Sequence, residues 1–275
     1  MSTFEFDEIG PWSEIKLDIV REYAQAYSQI LSAQTKPNLK HVYIDAFAGA
    51  GLHISRSTKE FVLGSPLNAL NVNPPFCEYH FIDINRARSE ALQEVGRQQS
   101  NVFVHDGDCN KVLLEKVFPQ VLYKNYRRGL CLLDPYGLHL DWQVIYTAGQ
   151  MKSIEIFLNF PIMDMNMNVL KHDPDTVPLE QAERMTRYWG DESWKEAAYS
   201  SEGNLFGCLE KTTNETLVEA FRGRLAKVAG FKHVSRPLAM RNSQKAVVYY
   251  LLFASPKPVA EQIVKDIFKK HETRL

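Results

Sequence analysis

Apolar residues recur at helical spacing from Trp12 to Leu31, where Ile15, Ile19, Tyr23, Ala26 and Ile30 fall on one stripe. Ser13, after Pro11, is the expected N-cap, and Pro37 with Asn38 ends the helix. The pattern then changes to short apolar runs rich in Val, Ile, Leu and Phe: His41 to Phe47, Glu78 to Asp83, Asn101 to His105, Gly129 to Leu133 and Ser153 to Phe160. Helical stretches separate them, among them Arg86 to Gln98 and Cys109 to Leu122. Buried strands alternating with helices predict a mostly parallel sheet covered on both faces. From Ile162 to Leu217 the pattern is helical and holds Trp189 and Trp194. A helix over Asn214 to Ala229 follows, then strands Val234 to Met240 and Ala246 to Ala254, with a turn at Ser243 and Gln244 that predicts an antiparallel pair at the sheet edge. The expected organisation is one domain over 1–275: an N-terminal helix (1–38), a ligand-binding core (39–161), a helical insertion (162–217), and a C-terminal helix with edge strands (218–275).

Composition changes this picture little. Hydrophobic residues make up 45% and charged residues 24%, with a net charge of -1, so bulk charge points to neither nucleic acid nor membrane. The acidic N-terminus has no apolar signal core and no apolar run spans a bilayer, so no membrane partner is expected. Cys77, Cys109, Cys131 and Cys208 have no metal-site spacing; reduced, mostly buried thiols in a cytoplasm are expected, and no metal.

The sharpest local feature is Val42-Tyr43-Ile44-Asp45-Ala46-Phe47-Ala48-Gly49-Ala50-Gly51, a buried strand running into a loop with glycines two apart. Such a loop lets a ligand approach the backbone at the carboxyl end of a strand. A nicotinamide fingerprint requires a third glycine where Ile54 stands, and a phosphate-gripping loop requires Gly-Lys-Ser/Thr. S-adenosylmethionine needs the close approach and no anion nest, and Asp45 can hold its ammonium group. Asp83 ends the second strand and can accept ribose hydroxyls; Asp108, beside Cys109, follows the third and can accept from an adenine amino group. Either acid alone also reads as a helix N-cap. Ser65 and Pro66 read as the N-cap and first residue of the next helix, which leaves Leu52 to Gly64 as a long polar loop over the cofactor.

Asp134-Pro135-Tyr136-Gly137 follows the fourth strand, beside the glycine loop in a doubly wound sheet. Asp134 or the Pro135 carbonyl can accept from a planar amine and Tyr136 can stack on its ring, an arrangement for attack of nitrogen on an activated methyl; the other reading is a strand-ending turn. Asn159, ending the fifth strand, lines the substrate pocket or an edge turn.

These residues resemble class I S-adenosylmethionine-dependent methyltransferases and, more narrowly, the three-Cys-motif partner protein family. The resemblance is carried by Trp12 to Leu17 with Tyr23 and Tyr27, Tyr43 to Gly51, Gly64 to Pro66, Phe81 to Asp83, Asp134 to Gly137 and Trp189-Gly190. It implies a Rossmann-like methyltransferase fold with a mostly parallel seven-stranded sheet, an antiparallel edge strand and a helical insertion. It also implies a partner bearing a three-cysteine motif and resembling radical-S-adenosylmethionine proteins. Asp134 to Gly137 further resembles the Asp-Pro-Pro-Tyr of adenine amino methyltransferases, with one proline in place of two. That leaves room for another amine, or for a site that binds without catalysing.

Two stretches bear on an RNA or DNA substrate. Phe221 to Lys245 carries Arg222, Arg224, Lys227, Lys232, Arg236, Arg241 and Lys245 without an acid, and Tyr123 to Arg128 joins tyrosines to Arg127 and Arg128. Both can bind phosphates and stack bases, or form solvated basic faces. Lys16 either reaches the site mouth or lies on the surface.

Overall fold

The computed structural model describes residues 6–200 and 210–275; Cys208 and the 201–209 part of the expected insertion lie outside the described residues. The chain begins β1 (Glu8–Ile9), α1 (Pro11–Ser32), β2 (Lys40–Asp45), β3 (Leu52–Ser55), β4 (Phe61–Leu63), α2 (Ser65–Leu70), β5 (Glu78–Asp83), α3 (Arg86–Gly96), β6 (Val102–Asp106) and α4 (Cys109–Val112). It continues β7 (Arg127–Leu133), α5 (Trp142–Met151), β8 (Ile154–Phe160), α6 (Ile162–Asn168), α7 (Leu179–Trp189), α8 (Trp194–Ala198), β9 (Tyr199–Ser200) and β10 (Glu210–Lys211). Last come α9 (Asn214–Lys227), β11 (His233–Val234), β12 (Leu238–Arg241), β13 (Val247–Ser255) and α10 (Pro258–Glu272).

The five apolar runs form the parallel part of one sheet, ordered β6–β5–β2–β7–β8, with β13 antiparallel beside β8. Their side chains alternate between two cores, as the two-residue period of a strand requires. Along β7, Leu130 and Leu132 face α1, α2 and α10, while Cys131 and Leu133 face α4, α5 and α9. Among the described residues the sheet has eight strands and not the expected seven. The run expected over Val234 to Met240 is divided into β11 and β12, which both pair with β13, and the register moves by one residue between them. Pro237 has no amide hydrogen to give the ladder. Ser235 takes over locally: its Oγ accepts the Phe253 N–H at 3.1 Å.

Four local expectations are corrected. Leu52 to Gly64 is not a loop: β3 pairs with β4 and β1 in a small second sheet. The N-caps of α1 and α2 are Gly10 and Gly64, one or more residues before the expected Ser13 and Ser65. The helix expected over Cys109 to Leu122 is α4, a π-turn at Leu113–Val117 and a 3-10 turn at Phe118–Gln120, where Pro119 ends the ladder. The buried stripe of α1 runs through Ile15, Lys16, Ile19, Val20, Tyr23, Ala24 and Tyr27, so Ile30 is exposed and Lys16 is not.

Helix α1 is tied to the sheet by a buried polar group. Tyr23 OH donates to Glu155 Oε2 in β8, and Ser255 Oγ of β13 donates to Oε1 at 3.0 Å. Burial raises the Glu155 carboxyl to about 7. Between β8 and α9, the described residues form α6, α7, α8 and a β9–β10 ribbon. They close on Phe221, whose ring lies 4.9 Å from Phe160, 5.3 Å from Trp189, 5.5 Å from Tyr188 and 5.8 Å from Trp142. Gly190 ends α7 at φ +104°, and a Cβ there would lie 2.4 Å from Trp142. Only glycine permits both the turn and that indole. No helix among the described residues is long and apolar enough to cross a membrane.

Candidate functional site

The chain leaves β2 toward β5 and β6 on one side, then returns to β7 and β8 on the other. The strand order therefore reverses between β2 and β7, and the crevice of such a sheet lies at the carboxyl ends of those strands. Asp45, the last residue of β2, pairs with Leu132 of β7 and Phe81 of β5. Asp134 and Asp83 stand two residues further along each neighbour. Register with β8 (Leu133 opposite Leu158) puts Asn159 beside Asp134.

The glycine loop is built for close approach. Gly51 has φ +83°, and a Cβ there would press to 3.3 Å against Leu67 and Leu92. A Cβ on Gly64 would meet the Gly51 carbonyl oxygen at 2.9 Å, where the Gly64 N–H now donates at 2.7 Å. Phe47 packs partly buried against the core on one face of the sheet. Asp83 fastens the loop to β5: its Oδ2 accepts the Gly49 N–H at 2.9 Å and its Oδ1 the Asn85 N–H at 2.7 Å. Each oxygen keeps a second lone pair. Asp45 is fully buried; Oδ1 accepts the Phe47 N–H at 3.3 Å and Oδ2 has no partner. Burial raises its carboxyl to about 7, against the Ser65 hydroxyl and Phe47 amide that favour the anion. Asp108 caps α4, accepting from Asn110 N–H and Nδ2 at 3.1 Å. Cys109 is buried, and burial pushes its thiol up to about 12.

At the end of β7, Lys16 Nζ donates to Asp134 Oδ2, and Asn159 Nδ2 donates to Oδ1 at 3.0 Å. Lys16 is 8% exposed and its Nζ lies 5.5 Å from the Tyr249 ring centroid, so the lysine belongs to the site and not to the surface. Asn159 Oδ1 is buried without a partner, while its main-chain carbonyl accepts from Tyr188 OH at 3.1 Å. Pro135 is buried and Tyr136, next to it, is 94% exposed.

Arg127 and Arg128, expected at the substrate, are not brought there. They open β7, about 20 Å of strand away from its carboxyl end. Arg127 pairs with Glu78, and Arg128 stacks on Tyr123 at 3.7 Å from the ring centroid. Part of the second basic stretch is also structural. Arg222 donates to the Ser235 carbonyl at 3.0 Å, and Arg224 pairs with Asp191 at 2.8 Å while lying over Trp142 and Trp189.

Two residues escape a reading of the sequence alone. His53, on β3, has a buried Nδ1 without a partner, and its Nε2 lies 3.1 Å from where a Gly64 Cβ would stand. Burial lowers its pKa, and the charge of Lys16 lowers it further. Its only trace in sequence is the alternation Leu52-His53-Ile54-Ser55, short and embedded in polar residues. Ile84, directly after Asp83, is 76% exposed, an apolar face beside an acid. Asp45 Oδ2, His53 Nδ1 and Asn159 Oδ1 are thus buried polar atoms without partners near the carboxyl ends of β2, β7 and β8. Buried polar atoms are almost always paired, so this cluster fits a polar ligand.

No family model matches the chain, and no curated protein matches it. Among solved structures, the chain is similar to protein LPL1258 from Legionella pneumophila, with 13% identity and a TM-score of 0.53 over 94% of this chain and 91% of that one. Two more distant alignments are with the neocarzinostatin O-methyltransferase NcsB1, solved with S-adenosylmethionine (14% identity, TM-score 0.34, 83% of this chain and 52% of that one), and with DszA carbon methyltransferase (15%, 0.40, 85% and 52%). The likeness to LPL1258 is one of fold. The class defined is a mixed α/β protein with a central, mostly parallel sheet whose strand order reverses between β2 and β7.

Proposed function

We propose that this protein is an S-adenosylmethionine-dependent methyltransferase that methylates an amine, that of a nucleic-acid base. The observation that carries the reading is the crevice itself: a glycine loop at the switch point, with partnerless buried Asp45 Oδ2 above it and an acid–proline–tyrosine loop opposite. When bound, the cofactor supplies a methyl group on a sulfonium, which an amine lone pair can take directly. Asp45 Oδ2 holds the ammonium of the methionine part, and Gly49 and Gly51 let that part lie on the backbone. The free lone pairs of Asp83 accept the ribose hydroxyls, Ile84 covers a face of the adenine, and Asp108 with Cys109 closes the far end. Lys16, Asp134, Pro135 and Asn159 shape the place of the amine, and exposed Tyr136 stacks on its ring. Catalysis here is mostly orientation.

A second reading is supported by the engagement of Asp134 on both oxygens within the chain. It is a cofactor-binding partner that does not catalyse and that serves a three-cysteine-motif, radical-S-adenosylmethionine-like protein. Transfer of labelled methyl from S-adenosylmethionine to RNA or DNA separates the two. Incorporation that disappears in Asp134→Ala, with cofactor binding intact, is the expected result. Cofactor binding without incorporation into either nucleic acid would reject catalysis and favour the partner.

A further inference from the structure

We propose that the atom receiving the reacting amine is Asn159 Oδ1, and that Lys16 and Asp134 are positioning residues that aim it. This rests on the cofactor reading above and assigns roles within it. Asp134 is the obvious acceptor by sequence, yet its Oδ2 takes the Lys16 ammonium, which neutralises the carboxylate, and its Oδ1 takes the Asn159 amide at 3.0 Å; each oxygen has one lone pair left, whereas Asn159 Oδ1 has both. That second bond fixes which end of the Asn159 amide is which: with Nδ2 turned to Asp134, Oδ1 is presented as an acceptor. Oδ1 is buried and has no partner, and among the side-chain oxygens of Asp134 and Asn159 it is the one left unsatisfied. A buried acceptor of this kind gains a full hydrogen bond when a donor arrives. The backbone of Asn159 is held as well, by Tyr188 OH on its carbonyl at 3.1 Å, and register with β13 opposite Leu251 fixes the strand. The relay therefore runs from α1 through Lys16 and Asp134 to Asn159 on rigid elements.

The chemistry selects a substrate class. Lys16 and Asp134 cancel in charge, so the amine meets a neutral amide and not a free carboxylate. A carboxylate would favour an alkylammonium, whose nitrogen has no lone pair. A neutral amide beside a closed ion pair suits an uncharged aromatic amine, which donates one N–H to Oδ1 and keeps its lone pair for the methyl.

The test needs no substrate. Sinefungin carries an amine where the methyl of the cofactor stands, and S-adenosylhomocysteine has nothing there. Calorimetry on the full chain is expected to show sinefungin binding about ten-fold tighter than S-adenosylhomocysteine, the worth of one hydrogen bond. In Asn159→Leu, close in volume and without the oxygen, the side chain covers the Asp134 Oδ1 that the amide leaves free, and the ratio falls to near one while S-adenosylhomocysteine still binds. In Lys16→Met, Asp134 Oδ2 is released to take the amine and the ratio is kept or rises. Asn159→Met, which also fills the place of the amide without its oxygen, serves if the leucine variant fails to fold, and is judged by the same ratio. A wild-type ratio retained in the Asn159 variants, with S-adenosylhomocysteine bound, would overturn the proposal alone. Absence of S-adenosylhomocysteine binding to the wild-type chain would overturn the cofactor reading and this proposal with it.

Discussion

At the residue scale, the site is a set of groups held in unusual states by burial. Asp45 is fully buried with its carboxyl at about 7, so near neutrality it is divided between acid and anion. An ammonium on Oδ2 requires the anion. Affinity for S-adenosylhomocysteine should therefore fall as pH drops below about 7, by at most about ten-fold per unit, and binding below that pH should release a proton. Calorimetry in two buffers of different ionisation enthalpy measures that proton. Asp45→Asn should remove both the pH dependence and most of the affinity. Tyr136 is the opposite case: exposed as it is, its replacement by Ala should change stability by less than about 0.5 kcal/mol in thermal unfolding, while abolishing any transfer that depends on stacking. The acids of the site were legible because each ends an apolar run. Lys16 was legible only in part: it lies in phase with Val20, Ala24 and Tyr27, but a lysine on that stripe reads as surface unless its distant partner, Asp134, is known. Arg127 and Arg128 mislead for the reverse reason, since charge and aromatic content do not say at which end of a strand they sit.

At the scale of elements, the parallel strands follow directly from apolar runs that strands buried on both faces require. What sequence did not show is where backbone chemistry interrupts a pattern. Pro237 divides an edge strand, Pro119 stops a helix, and β3 and β4 form from four and three residues, too few to read as strands. The packing of α7, α5 and α9 around one tight turn makes a strong prediction. Gly190→Ala puts a Cβ where the Trp142 indole lies, at a left-handed φ, and should cost about 3 kcal/mol in denaturant unfolding. Phe221→Ala, in the centre of four aromatic rings, should cost about 3–5 kcal/mol. Values below about 1 kcal/mol for both would mean that the elements after β8 do not close on α9 as described.

At the scale of the whole molecule, two buried carboxyls lie on the α1 face of the sheet: Asp45 at the end of β2 and Glu155 in β8. Both have folded pKa values near 7, raised from 3.8 and 4.5. The folded state thus binds protons that the unfolded state has lost, so the stabilisation is complete below the unfolded values and fades as pH rises through about 7. Burial lowers His41, His53, His80 and His105, which act in the opposite sense, so the carboxyl is read by difference: Tm relative to the wild type should rise in Asp45→Asn as pH goes from about 5 to about 8. An equal dependence of Tm on pH in the wild type and in Asp45→Asn would contradict the burial of Asp45. The sheet also carries the central claim, because its order alone puts the glycine loop of β2, the acid after β7 and the amide of β8 around one crevice. The most direct test of that claim is calorimetric titration of the wild-type chain with S-adenosylhomocysteine. Saturable one-to-one binding, weakened in Asp45→Asn, is the predicted result. No heat of binding at millimolar ligand, under conditions where the chain is folded, would contradict it.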